Sequence, residues 1–192
     1  MKKLSDYVQF GSGSPQFRVT ESTDSSAPVY IWYAQHHLAA DLSGMATMPS
    51  ESKSVATFDK VCLLASGDVV FSLISGKAAM VGEQHGGMIQ TQNYIKLLPE
   101  QGLDAAFLVY LLNENRHIKK QWAAALQGSS VLKYTLAQLK ALTLTALPPL
   151  EKQKIIGNIY LMQQRLQALK QQAAERQTQQ INLLLAGASE HE

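Results

Sequence analysis

The chain has 192 residues, 46% of them hydrophobic and 17% charged, with a formal net charge of +2. This composition excludes a disordered chain, and the length suits one core-bearing domain plus an appendage. Residues 1–150 hold 12 of the 17 Lys+Arg and 11 of the 15 Asp+Glu, so neither part is polybasic and charge alone gives no argument for nucleic-acid binding.

Residues 3–10 alternate like a short strand and run into a loop, by composition, at residues 11–15. The lysines of Met1-Lys2-Lys3-Leu4-Ser5-Asp6-Tyr7 are followed by no apolar core, which is not a secretory signal. The chain is expected in the cytoplasm. Val29-Tyr30-Ile31-Trp32-Tyr33 reads as a buried strand. Residues 41–53, polar and carrying Gly44 and Pro49, read as an exposed loop. From residue 61 short apolar runs (61–65, 69–74, 78–81, 88–91, 94–98) alternate with turn signals such as Ser66-Gly67-Asp68 and Ser75-Gly76-Lys77. They predict a strongly bent antiparallel or mixed sheet. Cys62, the only cysteine, lies in the first run and is expected to be buried packing, with no disulfide.

Residues 103–126 place Phe107, Leu108, Leu111, Leu112, Ile118, Trp122 and Leu126 mostly at three- and four-residue steps, which predicts one helix with Asp104 at its positive end. Gly128-Ser129-Ser130 should end it. Thr135 and Gln138 match a capping box that starts a short helix reaching Leu142. Residues 142–146 alternate like a strand until Pro148-Pro149 stops it. The last helix carries Ile155, Ile159, Met162, Leu166, Leu169 and Ala173 at a coiled-coil spacing. A four-residue slip through Gln177 then restores the stripe at Ile181 and Leu184, as a stutter does. The expected class is α+β: a domain over residues 1–148 with a small bent sheet and packed helices, a long helix over 149–186, and a tail over 187–192. Either the stripe lies on its own domain or a second chain covers it. The length of the helix favours the second chain. No run of 18 apolar residues exists, which excludes a membrane-spanning helix.

Catalytic patterns are missing. His36-His37 on a strand would point to opposite faces, and no Cys or carboxylate cluster accompanies them as metal ligands. Gly11-Ser12-Gly13-Ser14 has the wrong spacing for a nucleophile elbow, and neither phosphate-cradling glycine motif occurs. Leu147-Pro148-Pro149-Leu150 lacks the Asn or Asp before the prolines, and the aromatic after them, with which amino-methyltransferases hold a flipped base. No catalytic residue, metal or cofactor is expected in this chain. The polar residues suited to base edges or phosphates are Arg18, Lys53, Lys77, Gln84, His85, Gln90, Gln92 and Asn93. Each taken singly is better explained as plain surface, and His85 as a solvated loop residue. The basic run Arg116-His117-Ile118-Lys119-Lys120 reads as a solvated helix face.

One ordered set of blocks goes further. Gly67-Asp68-Val69-Val70-Phe71-Ser72, Gly76-Lys77-Ala78-Ala79-Met80-Val81, Gln92-Asn93-Tyr94, Tyr110-Leu111-Leu112-Asn113-Glu114, Gln127-Gly128-Ser129 and Leu147-Pro148-Pro149-Leu150-Glu151-Lys152-Gln153-Lys154-Ile155-Ile156-Gly157 together resemble the specificity subunit of type I restriction-modification enzymes. The likeness runs from about residue 3 to residue 185. That family's subunit usually carries two target-recognition domains, each followed by a long helix, in a chain of about twice this length. The resemblance therefore implies either a half-sized subunit or a fragment of a longer one. A half-sized subunit would homodimerise through Ile155, Ile159, Met162, Leu166, Leu169, Ala173, Ile181 and Leu184, with the two long helices antiparallel. It implies double-stranded DNA, adenine methyltransferase subunits and the restriction subunit as partners, with S-adenosylmethionine held by the methyltransferase. A stand-alone DNA-binding protein and a coiled-coil scaffold are the competing readings.

Overall fold

The computed structural model describes residues 2–45, 52–126 and 134–189. Its centre is a four-stranded antiparallel sheet in the order β2 (Val8–Ser12), β7 (Tyr94–Pro99), β5 (Val69–Ser72), β6 (Ala78–Met80). All four residues of β5 are buried, which explains an unbroken apolar run where a one-faced strand would alternate. Val69 and Phe71 enter a cluster with Phe107, Leu108, Leu112 and Trp122. Val70 enters a second, on the other face, with Tyr33, Leu38, Leu64 and Tyr94. Gly76 turns the β5–β6 hairpin at φ 66°, a left-handed conformation that a side chain would resist. Two small pairs flank this sheet. β1 (Lys2–Lys3) pairs with β8 (Thr143–Leu144), and β3 (Val29–Ile31) with β4 (Ser54–Ala56).

Several expectations are corrected. The strand foreseen at residues 3–10 is interrupted by a 3-10 turn at Leu4–Asp6, where the Lys3 amide donates to Asp6 Oδ2 at 2.8 Å and Leu4 drops into the core. The strand then continues through Gly11 and Ser12, foreseen as loop, because β7 pairs with them. β3 exists but is not buried: Val29 is 69% exposed, and among the described residues β4 is the one strand that pairs with β3. Burial begins one turn later, at Tyr33. Residues 41–43, read as loop, are the last turn of α1 (Gln35–Ser43); residues 46–51 lie outside the described residues. Cys62 is exposed, because residues 61–65 form no strand beyond a single bridge at Leu63.

The helix foreseen at 103–126 is two, α2 (Ala105–Glu114) and α3 (Arg116–Leu126). Asn115 divides them: its Oδ1 accepts the amides of His117 (2.9 Å) and Ile118 (3.2 Å), starting a new helix in the way an N-cap does. The other start signals hold. Asp104 accepts the Phe107 amide at 2.9 Å, and Thr135 with Gln138 forms the capping box of α4 (Leu136–Ala141). The terminator at 128–130 lies outside the described residues.

The last helix, α5, spans Leu150–Ser189, about 60 Å at 1.5 Å per residue. It meets the head through Gln153, Ile156, Gly157 and Tyr160. A Cβ on Gly157 would stand 2.5 Å from the Phe107 nitrogen, so the rod lies directly against the α2 backbone. The coiled-coil stripe is on a different face. Ile155, Ile159, Met162, Leu166 and Leu169 are 43–72% exposed, and every residue from 173 to 187 is exposed. The reading in which the stripe lies on its own domain is thereby excluded. Among the described residues no helix is long and apolar enough to cross a membrane.

Candidate nucleic-acid interface

At the N-terminal end of α1 the head has a concavity of about 350 Å³ lined by Gln16, Trp32, Gln35, His36, Lys53, Ile74, Thr91 and Asn93 over a floor of Tyr33 and Tyr94. The opposite end of α1 faces the rod, where a Cβ added at Gly44 would stand 3.7 Å from the Arg165 side chain. The concavity therefore opens on the part of the head away from α5.

Backbone pairing fixes its walls. Trp32 bridges to Ile89, and its amide donates to the Lys53 carbonyl at 2.9 Å. Ser14 bridges to Thr91. The chain crosses there so closely that a Cβ on Gly13 would stand 2.3 Å from the Thr91 carbonyl oxygen. The Asn93 carbonyl accepts from the Leu73 amide at 2.9 Å.

The floor is tied together by hydrogen bonds. The Asp41 carboxylate receives the Tyr33 hydroxyl at 2.7 Å, His85 Nδ1 at 2.6 Å and the Gly82 amide at 2.9 Å. Burial, with Asp41 beside it, raises the Tyr33 pKa, and burial pushes that of Tyr94 up to about 12. His37 Nδ1 accepts the Ala34 amide at 3.0 Å and its Nε2 faces Ser52 Oγ at 3.2 Å. Burial first, then His36 and His85, lowers its pKa to about 4. A neutral His37 suits this arrangement, since a ring nitrogen that accepts carries no proton.

The rim is different. Among the described residues none of the lining is acidic, although the chain as a whole has nearly balanced charges. Lys53 is exposed, and among the described residues it makes no ion pair. A concavity with a cation and no carboxylate presents a positive potential to an approaching phosphate backbone.

Of the eight residues singled out from the sequence, the structure brings Lys53 and Asn93 into this concavity. Gln92 is exposed beside Asn93, and Arg18 stands on the turn Gln16–Arg18, 5.6 Å from the Phe17 ring. The other four lie elsewhere. Lys77 sits 4.0 Å from Glu114 at the α2 side, and Gln84 donates to the Met45 carbonyl at 3.1 Å. His85 is 2% exposed, not a solvated loop residue, because Asp41 holds it inside. Gln90 is 2% exposed too and donates to the Gly11 and Tyr94 carbonyls at 2.9 and 2.8 Å, so it braces the sheet. His36 and His37 are not on opposite faces of a strand. They share the first turn of α1 with ring centroids 3.8 Å apart. Gln16, Trp32, Gln35 and His36 were missed, since nothing in the sequence says that residues 16, 32, 36, 53 and 93 meet. Among the described residues no group of His, Cys, Asp and Glu has the arrangement to hold a metal ion.

A family model described as the type I restriction modification DNA specificity domain matches residues 3–182. The chain belongs to that family. Its fold is similar to a solved chain from work on complex assembly and conformational transition of the type I restriction-modification system. The TM-score is 0.64 at 17% identity, over 98% of this specificity-family chain and 48% of the other. The HsdS subunit from Thermoanaerobacter tengcongensis (TM-score 0.49, 19% identity, 90% of this chain and 39% of that one) and the S subunit from M. genitalium (0.49, 13%, 82% and 37%) are also similar. This specificity-family chain spans about half the length of the first of these. No curated protein matches its sequence.

Proposed function

We propose that the chain is the sequence-recognition subunit of a type I restriction-modification complex, acting as a homodimer that reads a split palindrome and positions partner methyltransferase subunits. The observation that carries this reading is the rod. Its apolar stripe points away from its own head, and burying a Leu or Ile side chain is worth about 1.5–3 kcal/mol, so a second copy is the economical cover. With the rods antiparallel and crossing between Leu169 and Lys170, Leu166 meets Ala173 and Ile155 meets Leu184. The two heads, which grip the rod at Gln153–Tyr160, are then about 40 Å apart along it, slightly more than one duplex turn of about 34–36 Å. A two-fold pair of heads reads an interrupted inverted repeat.

The balanced charge of the chain fits a division of labour in which partner subunits supply most phosphate contacts. The chemistry belongs to those partners: a methyltransferase subunit with S-adenosylmethionine modifies a flipped adenine, and a restriction subunit joins the same assembly. In the test, the tagged full chain is purified from its host at gentle salt and its mass measured by sedimentation. Recovery of a dimer with an adenine methyltransferase, followed by enrichment of a split palindrome from random duplexes, supports the reading. A monomer, or capture of no methyltransferase, leaves the scaffold or stand-alone reading in its place.

A further inference from the structure

We infer that the concavity at the start of α1 reads one A·T base pair in each half-site, with the Asn93 amide on adenine and the Trp32–Ile74 wall against the thymine methyl. This rests on the DNA-recognition reading above and adds to it the identity of the base pair and of the residues that read it.

In the major groove cytosine presents a donor and calls for a carboxylate, guanine is best taken by the fork of an arginine, adenine by a bidentate amide, and thymine by an apolar contact on its methyl. Among the described residues the concavity holds no carboxylate and no arginine. Its one cation, Lys53, is exposed, a compact charge suited to a phosphate at the rim. Thr91 is buried and the His36 ring faces Ser52 Oγ at 3.3 Å, which leaves amides and an apolar wall.

The amides are not equal. Gln35 Nε2 is committed to Ser72 Oγ at 2.6 Å, and Gln16 is exposed on the surface of its turn. Asn93 is half-buried, and its backbone is pinned by the bonds to Leu73 and to Thr91 Oγ1 (3.3 Å). Among the described residues its side-chain amide has no hydrogen-bond partner, so a donor and an acceptor are held in place with nothing to bind. Ile74 is 53% exposed at the tip of the β5–β6 turn beside the half-buried Trp32, and Tyr33 and Tyr94 stiffen the floor beneath. A fixed apolar wall is what a single methyl group needs to register, since one carbon in such a contact is worth roughly tenfold or more.

The experiment uses the full chain with the methyltransferase it captures and the duplex it selects. Each thymine of that target is replaced in turn by deoxyuridine, and each adenine by 7-deazaadenine, and Kd is measured. One A·T pair per half-site should lose about tenfold with either analogue. Asn93→Ala should abolish the 7-deaza penalty and Ile74→Ala the uracil penalty, both leaving the rest of the target profile unchanged. Both positions are surface turns, and thermal melts check that the variants fold. Insensitivity at every A·T pair overturns the inference, as do undiminished penalties in both variants or a guanine-dependent position lost with Lys53→Ala. Failure to enrich any duplex removes instead the DNA-recognition reading on which it stands.

Discussion

Gln153 joins the rod to the head, and its removal has a calculable cost. The side chain is 1% exposed. Its Oε1 accepts the Asp104 amide at 3.0 Å, and its Nε2 donates to the Gly102 and Pro148 carbonyls at 2.9 and 2.8 Å. One amide thus ties the start of α2, the turn before it and the proline stop before α5. Gln153→Ala deletes three hydrogen bonds, each worth about 1 kcal/mol net, and the expected loss is about 3 kcal/mol of the roughly 5–15 kcal/mol that holds a domain together. Gln153→Glu keeps the acceptor but turns an anionic oxygen toward two carbonyl oxygens, so at neutral pH it should be at least as damaging. Burial there raises the carboxyl pKa above its ordinary value. The destabilisation is therefore largest above that raised pKa and shrinks, relative to wild type at each pH, as acid restores a donor. Urea unfolding followed by helical circular dichroism, at fixed protein concentration because a dimer shifts the midpoint, reads both. A loss under about 1 kcal/mol for Gln153→Ala, or a Gln153→Glu variant as stable as wild type at pH 7, refutes this reasoning.

Gly157→Ala should destabilise the α2–α5 contact despite alanine's better helix propensity, because the added carbon meets the α2 backbone; a raised melting temperature would contradict the close approach. Leu166→Asp with Leu169→Asp should yield monomers by light scattering, as unpaired charge in a buried stripe is costly, and a persistent dimer would move the interface elsewhere. Gln90→Ala should lower stability and leave target preference unchanged, while a changed preference with unchanged stability would return it to the readers. His37, whose pKa is lowered to about 4 from an ordinary 6.5, stabilises the fold fully above pH 6.5, and that contribution is lost as pH falls toward 4. Denaturation midpoints across that window should decline in wild type and decline less in His37→Gln.

Local signals were legible where the chain decides matters within a few residues. The capping box of Thr135 with Gln138, the β5–β6 hairpin and the stripe on α5 all follow from spacing and turn chemistry. The break at Asn115 was missed because Ile118 and Trp122 continue the apolar period across it, and only the turning-in of the Asn115 side chain reveals two helices. Burial of His85 and Gln90 was illegible for a different reason. Asp41 and the Gly11 carbonyl, which satisfy them, lie 44 and 79 residues away. The concavity is harder still, since its walls come from five separate stretches of sequence that tertiary packing alone assembles.

A stiff rod of fixed length makes the gap in the target a quantised property. On the proposed dimer, an insertion that keeps the apolar stripe in phase is a heptad or a four-residue stutter, which lengthens each rod by about 10.5 or about 6 Å, close to three or two base pairs at about 3.4 Å each. Single-residue insertions swing the stripe off its partner and abolish pairing before they move the heads usefully. Descendants of such a protein would change their spacer in steps set by the turns of the rod.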